Sequence, residues 1–179
     1  MKISLKYLVF FILFVLPVSL VKGQSIEEIW LQAKTLYQKK DYQAAFPLML
    51  RAAEKNHPKA QSHIGMMYGL GQGCRVDFYE AVKWYKKAAE QGDSIGQYNL
   101  GIMYLYGNGT KQDYNLAIYY LQKASEQNNL PSFAALGYMV ENGYGCAKNF
   151  NEAINLYQKG ARLGHNGAKE RLTELGYSW

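Results

Sequence analysis

Apolar residues fall along this chain in stripes of helical spacing, separated at regular intervals by glycine or by small polar residues. The first stripe is Ile26, Ile29, Trp30, Ala33, Leu36 and Tyr37, the i, i+3, i+4, i+7 pattern of one helix face. A second, Ala44, Ala45, Leu48, Met49, Ala52 and Ala53, begins after Lys39-Lys40-Asp41. Ser25, with Glu28 three residues later, predicts a capping box at the first start. Pro47 is expected close to the second start, where its missing donor costs least. Residues 24–57 therefore form one helix pair with a short turn.

From Pro58 onward the pattern repeats itself. Ile64-Gly65, Leu100-Gly101 and Leu136-Gly137 stand 36 positions apart, as do Gly71-x-Gly73, Gly107-x-Gly109 and Gly143-x-Gly145, and Ala81, Ala117 and Ala153. A fixed period of this length marks a solenoid, with units at 58–93, 94–129 and 130–165. Glycine inside a helix costs about 1 kcal/mol relative to alanine. Three in register therefore predict a packing reason: a missing side chain where the second helix of each unit comes close. Tyr85, Leu121 and Tyr157 are expected to fill the space between the layers. Each first helix should stop at its Gly-x-Gly, since glycine accepts left-handed backbone. Asp77, Asp113 and Asn149 should cap the second helices. Residues 166–179 begin a further first helix, with Leu172 and Leu175 covering the last apolar face and Lys169, Glu170, Arg171 and Glu174 turned to water, as a terminal cap requires. The fold class that follows is all-α, a right-handed superhelical solenoid of antiparallel helix pairs.

The N-terminal stretch breaks the pattern. Lys2 and Lys6 precede an apolar run from Tyr7 to Leu20, shorter than the roughly 20 residues of a spanning helix. Val21 and Gly23 place small residues at minus three and minus one of a cut before Gln24. Residues 1–23 thus predict a signal peptide and a secreted or periplasmic protein, an uncleaved anchor being the alternative. No other stretch could span a bilayer. Removing residues 1–23 takes Lys2, Lys6 and Lys22 and no acidic residue, so the formal charge of +6 drops by three. What remains is mixed along the chain and lacks the clustered charge of a nucleic-acid footprint.

The three units, read residue by residue, resemble the Sel-1-like repeat, a tetratricopeptide-related family. Its pattern is carried in the first unit by Ala60, Ile64, Gly65, Met67, Tyr68, Gly71, Gly73, Asp77, Ala81 and Trp84 through Gly92. Unit two departs at Leu116 to Tyr120, and unit three at Met139-Val140 and Asn149. The 24–57 pair, with its early Trp, Tyr37 and Ala45, Met49 and Ala52, is similar to a tetratricopeptide unit. The resemblance implies an adaptor in signalling, secretion or host interaction. A cysteine-rich branch of the family carries a disulfide within each repeat, a pattern this chain lacks.

Its two cysteines, Cys74 and Cys146, sit 72 residues apart at equivalent places in units one and three. Helices pack about 8–10 Å apart, so sites two units apart exceed the approximately 7 Å Cα limit of a disulfide. The pair is expected to be unbonded, each thiol a small residue buried under its loop. Bridging to another chain or a reactive thiol is the alternative.

Catalytic constellations are missing. The mature chain has no Gly-x-Ser-x-Gly, no phosphate loop, no His-Glu-x-x-His and no Cys-x-x-Cys. The Gly-x-Gly elements join helices, whereas a dinucleotide site follows a strand. His57, His63 and His165 read as surface or capping groups, and neither metal nor cofactor is expected. A solenoid instead exposes a concave face. With the tetratricopeptide register carried over, the inward positions are Ser62, Met66 and Leu70, then Tyr98, Ile102 and Tyr106, then Ala134, Tyr138 and Asn142. Aromatic residues with a polar tip are enriched where proteins meet partners. This stripe predicts a non-catalytic module binding a protein or peptide. The alternative function is a cell-envelope enzyme or ligand-binding protein acting on peptidoglycan or a similar polymer.

Overall fold

A computed structural model describes residues 24–179; the predicted signal peptide lies outside the described residues. Helices follow one another in antiparallel pairs: α1 (Ile26–Gln38) with α2 (Tyr42–Glu54), α3 (Pro58–Leu70) with α4 (Phe78–Glu90), α5 (Ser94–Tyr106) with α6 (Tyr114–Glu126), and α7 (Leu130–Asn142) with α8 (Phe150–Arg162). A shorter α9 (Asn166–Glu174) closes the order. No strand occurs among the described residues. The pairs stack as a right-handed solenoid.

Each helix boundary follows from a local device. Ser25 and Glu28 form the capping box at α1, each side chain bonded to the other's backbone N–H. Asp41, Asp77, Asp113 and Asn149 accept backbone N–H bonds at the starts of α2, α4, α6 and α8. The glycines Gly71, Gly107 and Gly143 end α3, α5 and α7 in the left-handed region, with φ of 67°, 72° and 75°. The histidines are used in the same way. Nδ1 of His57 accepts from Ala60 N and that of His165 from Ala168 N, capping α3 and α9, while Asp93 caps α5. Pro47 lies one turn deeper than expected, the sixth residue of α2, so Gln43 loses its intrahelical donor there.

The reason for the repeated Leu/Ile-Gly pair is spacing between the two layers. A Cβ on Gly65 would lie 2.8 Å from the Tyr85 ring, on Gly101 2.8 Å from Leu121 Cγ, and on Gly137 2.6 Å from the Tyr157 ring. Tyr85, Leu121 and Tyr157 are buried against those glycines, each worth about 1.5–3 kcal/mol relative to exposure. The second glycine of each Gly-x-Gly has a different task. Gly73, Gly109 and Gly145 rest against Tyr42, Phe78 and Tyr114, the first residues of the preceding second helices, with no room for a side chain. At the end of the stack Tyr177 takes the corresponding place over Phe150, ring centroids 6.4 Å apart.

The terminal helix is held by charge as well as by packing. Leu172 of α9 is buried in the cluster formed by Val140, Ile154 and Tyr157, and the Arg171 guanidinium bonds both carboxylate oxygens of Glu141. Glu141 Oε2 also accepts from the Tyr157 hydroxyl at 2.7 Å. One unit earlier that position is the buried Leu105. The carboxyl of Glu141 is therefore held below the usual carboxylate range, by Arg171 first and against the opposing effect of burial.

Candidate partner-binding face

Consecutive first helices touch one another, α3 with α5, α5 with α7 and α7 with α9, while no comparably close contact joins consecutive second helices. The first helices therefore lie on the inner, concave side. Their composition sets that side apart. Across α3, α5 and α7 the only Asp, Glu, Lys or Arg residues are Lys59, at the start of α3, and Glu141, whose carboxylate is spent on Arg171 and Tyr157. Exposed apolar and aromatic side chains take their place.

The nine residues expected on this face divide into three groups. Leu70, Tyr106, Tyr138 and Asn142 are exposed, at 62%, 57% and 38% for the first three. Met66, Tyr98, Ile102 and Ala134 are half-buried and serve the inter-repeat core as much as the surface. Ser62 is a correction: it is fully buried, with its hydroxyl donated to the Lys59 carbonyl. A side chain that short stays inside at the position from which Tyr98 reaches the surface in part.

Two half-buried tyrosines, Tyr114 and Tyr144, pack beside the exposed group. Tyr144, the middle residue of the third Gly-x-Gly, stacks on Tyr114 with centroids 5.1 Å apart, and Tyr138 meets the Tyr144 ring edge-on at 5.7 Å. The Tyr138 phenol is pushed up, first by the Tyr144 hydroxyl beside it and then by burial, with Tyr106 and Tyr114 adding to the effect. Burial, followed by Tyr106, pushes Tyr98 up in the same way. Tyr98 and Tyr138 thus stay neutral through ordinary pH, and Tyr106, Tyr114 and Tyr144 lie beside them. They form one patch of rings and hydroxyls on units two and three, able to stack on and hydrogen-bond a chain without selecting its charge.

The remaining candidates for chemistry are dispersed. Cys74 and Cys146 are both free. The expectation of two buried thiols is overturned for Cys146, which is exposed, and met in part by Cys74, half-buried with its Sγ donated to the Met67 carbonyl. The third loop leaves its cysteine outside, whereas the first folds its own back over the end of α3. His63 packs edge-on to Trp30 and Tyr37, and burial pushes its imidazole below the usual value. Among the described residues no group of three or more His, Cys, Asp or Glu side chains is placed to hold a metal ion.

Known proteins of similar sequence and shape agree with this architecture. The Sel1 repeat family model matches residues 36–57, 58–93, 94–129 and 134–165. A Sel1 repeat protein from Oxalobacter formigenes is 35% identical, with a TM-score of 0.72 over 78% of this chain and 56% of its own. A protective antigen of uropathogenic Escherichia coli strains, which displays the same repeat fold, is 27% identical, with a TM-score of 0.77 over 96% of this chain and 36% of its own. This chain thus spans about half of the first protein's length and about a third of the second's. Cysteine rich protein B of Helicobacter pylori, at 24% identity and a TM-score of 0.55 over 84% of this chain and 98% of its own, shares the fold. No curated protein matches the chain. Four consecutive matched segments along the helix pairs, and solved relatives built from the same unit, show the family: the chain belongs to the Sel1 repeat family.

Proposed function

We propose that the chain is a secreted or periplasmic adaptor that binds a protein or peptide partner through the concave face of its solenoid and catalyses no reaction. The observation that carries this reading is the contrast along α3, α5 and α7 between an almost complete lack of charge and a cluster of rings, Tyr106 and Tyr138 exposed and Tyr114 and Tyr144 half-buried beside them. Rings with hydroxyl tips supply large contact area at small entropic cost, and an extended segment laid across adjacent first helices would meet several at once. The export part rests on the signal-like pattern of residues 1–23, and no helix among the described residues is long and apolar enough to cross a membrane.

The test is affinity capture with the wild-type protein and with the double variant Tyr106→Ala/Tyr138→Ala. Both side chains are exposed, so helicity should be unchanged while the captured partner is lost. Equal capture by the variant would remove the concave face from the proposal. For export, the mature protein should begin at Gln24 by intact mass, and a mass that includes residues 1–23 would contradict it.

A further inference from the structure

The three seams of the stack are built from equivalent positions but are filled differently. Where α2 meets the first full unit the residues are Phe46, Tyr68 and Trp84, with Phe46 and Tyr68 packed edge-on at 5.3 Å. One unit on, Val82, Tyr104 and Tyr120 take those places, and the two tyrosine rings stack at 5.9 Å with an interplanar angle of 8°. In the third seam the same positions hold Ile118, Val140 and Leu156, with no ring among them. The seam then opens into a cavity of about 490 Å³ between α6, α7 and α8, on the side of the second helices and away from the concave face. Its apolar walls are Ile118, Phe133, Leu136, Val140 and Leu156.

The rim is cationic. Lys148, just before α8, and Lys159, in its last turn, both border the cavity. Among the described residues neither is engaged in an ion pair. Glu152 is the one carboxylate on the rim, and it accepts from the Asn149 amide at 3.3 Å. An apolar slot the neighbouring seam closes with stacked rings, bordered by two unpaired ammonium groups, has a definite complement: a ring that carries a carboxylate.

We infer that the third seam is a binding site for an aryl carboxylate, whose ring occupies the space that Tyr104 and Tyr120 fill one unit earlier and whose anionic group meets a rim lysine, Lys148 at one end of α8 or Lys159 at the other. A free aryl acid and the C-terminal aromatic residue of a peptide present the same chemistry. Cavities of this size, mostly apolar with a few convergent polar groups, are the usual form of small-ligand sites, and charge-assisted hydrogen bonds supply orientation.

The experiment is titration calorimetry of the purified protein with 3-(4-hydroxyphenyl)propionate, with its neutral amide, and with a short glycine peptide ending in a free tyrosine. Alkylation of Cys146, an exposed rim residue, gives an independent readout of occupancy. The acid should bind and slow the alkylation, and the amide should bind about tenfold more weakly. Tighter binding of the peptide than of the acid assigns the site to a chain end, and the reverse order to a free acid. Val140→Tyr/Leu156→Tyr copies the second seam into the third and should abolish binding. Lys148→Ala/Lys159→Ala alters only exposed side chains and should weaken the acid about tenfold while leaving the amide unchanged. Failure of both acid and peptide to bind, or undiminished binding by the folded filled-seam variant, would overturn the inference. Equal affinity for acid and amide would overturn its anionic half.

Discussion

The inner and outer layers of this solenoid are made by the same chain, with the same helix length and the same period, yet they present opposite surfaces to water. Outer helices carry the charge: Glu80, Lys83, Lys86, Lys87 and Glu90 lie on α4 alone, and α8 adds Glu152, Lys159 and Arg162. The three inner helices α3, α5 and α7 carry almost none, and they expose Leu70, Tyr106 and Tyr138. Solubility needs only one layer to be charged. The other is free to hold a surface whose exposure has no structural use, and that asymmetry points to recognition.

The sharpest way to break the comparison is to push the layers apart. Gly101→Ala and Gly137→Ala each place a methyl group against Leu121 or the Tyr157 ring, and each should cost about 1–3 kcal/mol as an overpacked core does. At an exposed helix position the same change would stabilise by about 1 kcal/mol. Urea unfolding followed by circular dichroism distinguishes the two signs. Next in size is loss of rings from the inner face. Tyr106→Ala/Tyr138→Ala should weaken partner binding by roughly 2 kcal/mol or more, about thirtyfold, as loss of interface hot spots does, with an unchanged urea midpoint.

A smaller effect is expected at the cap. Glu141 has its carboxyl lowered by Arg171, so its folded value lies below the unfolded one. Its stabilising contribution is complete above the unfolded value of about 4.3 and is lost as pH falls through the lower folded value. The wild-type midpoint should therefore drop below about pH 4.3, and Glu141→Gln should remove that part of the dependence at a cost near neutral pH of about 1 kcal/mol. The figure is kept small because the Arg171 side chain is 37% exposed and its attraction is screened. Smallest of all is the outer surface. Lys83→Ala breaks an exposed pair with Glu80 and should change neither binding nor the urea midpoint.

The period made the solenoid legible before any coordinates, because each glycine, cap and interlayer residue is written three times and each copy checks the others. The binding face was legible only in part. Helical spacing places Met66, Ile102 and Tyr138 on one stripe but does not say how deep each lies, and depth depends on side-chain length. Ser62 sinks where Tyr98 half emerges. Tyr114 and Tyr144 escaped the stripe because neither belongs to the body of a first helix: one opens α6 and the other stands between two glycines. A signal for the former existed in the recurrence of Tyr42, Phe78, Tyr114 and Phe150 at one period. Cys146 was misread because its burial was inferred from residue type, while its loop closes differently from that of Cys74.

Both layers expose tyrosines, and that allows a direct test of which one recognises a partner. A photo-crosslinking phenylalanine can replace Tyr106 or Tyr138 on the inner face, or Tyr79 or Tyr119 on the outer, where the latter two are 78% and 51% exposed. In extracts of the cells that make the protein, crosslinks to a discrete polypeptide should form from the inner positions and not from the outer ones. Crosslinks of the same polypeptide from Tyr79 and Tyr119, with none from Tyr106 and Tyr138, would contradict recognition by the concave face.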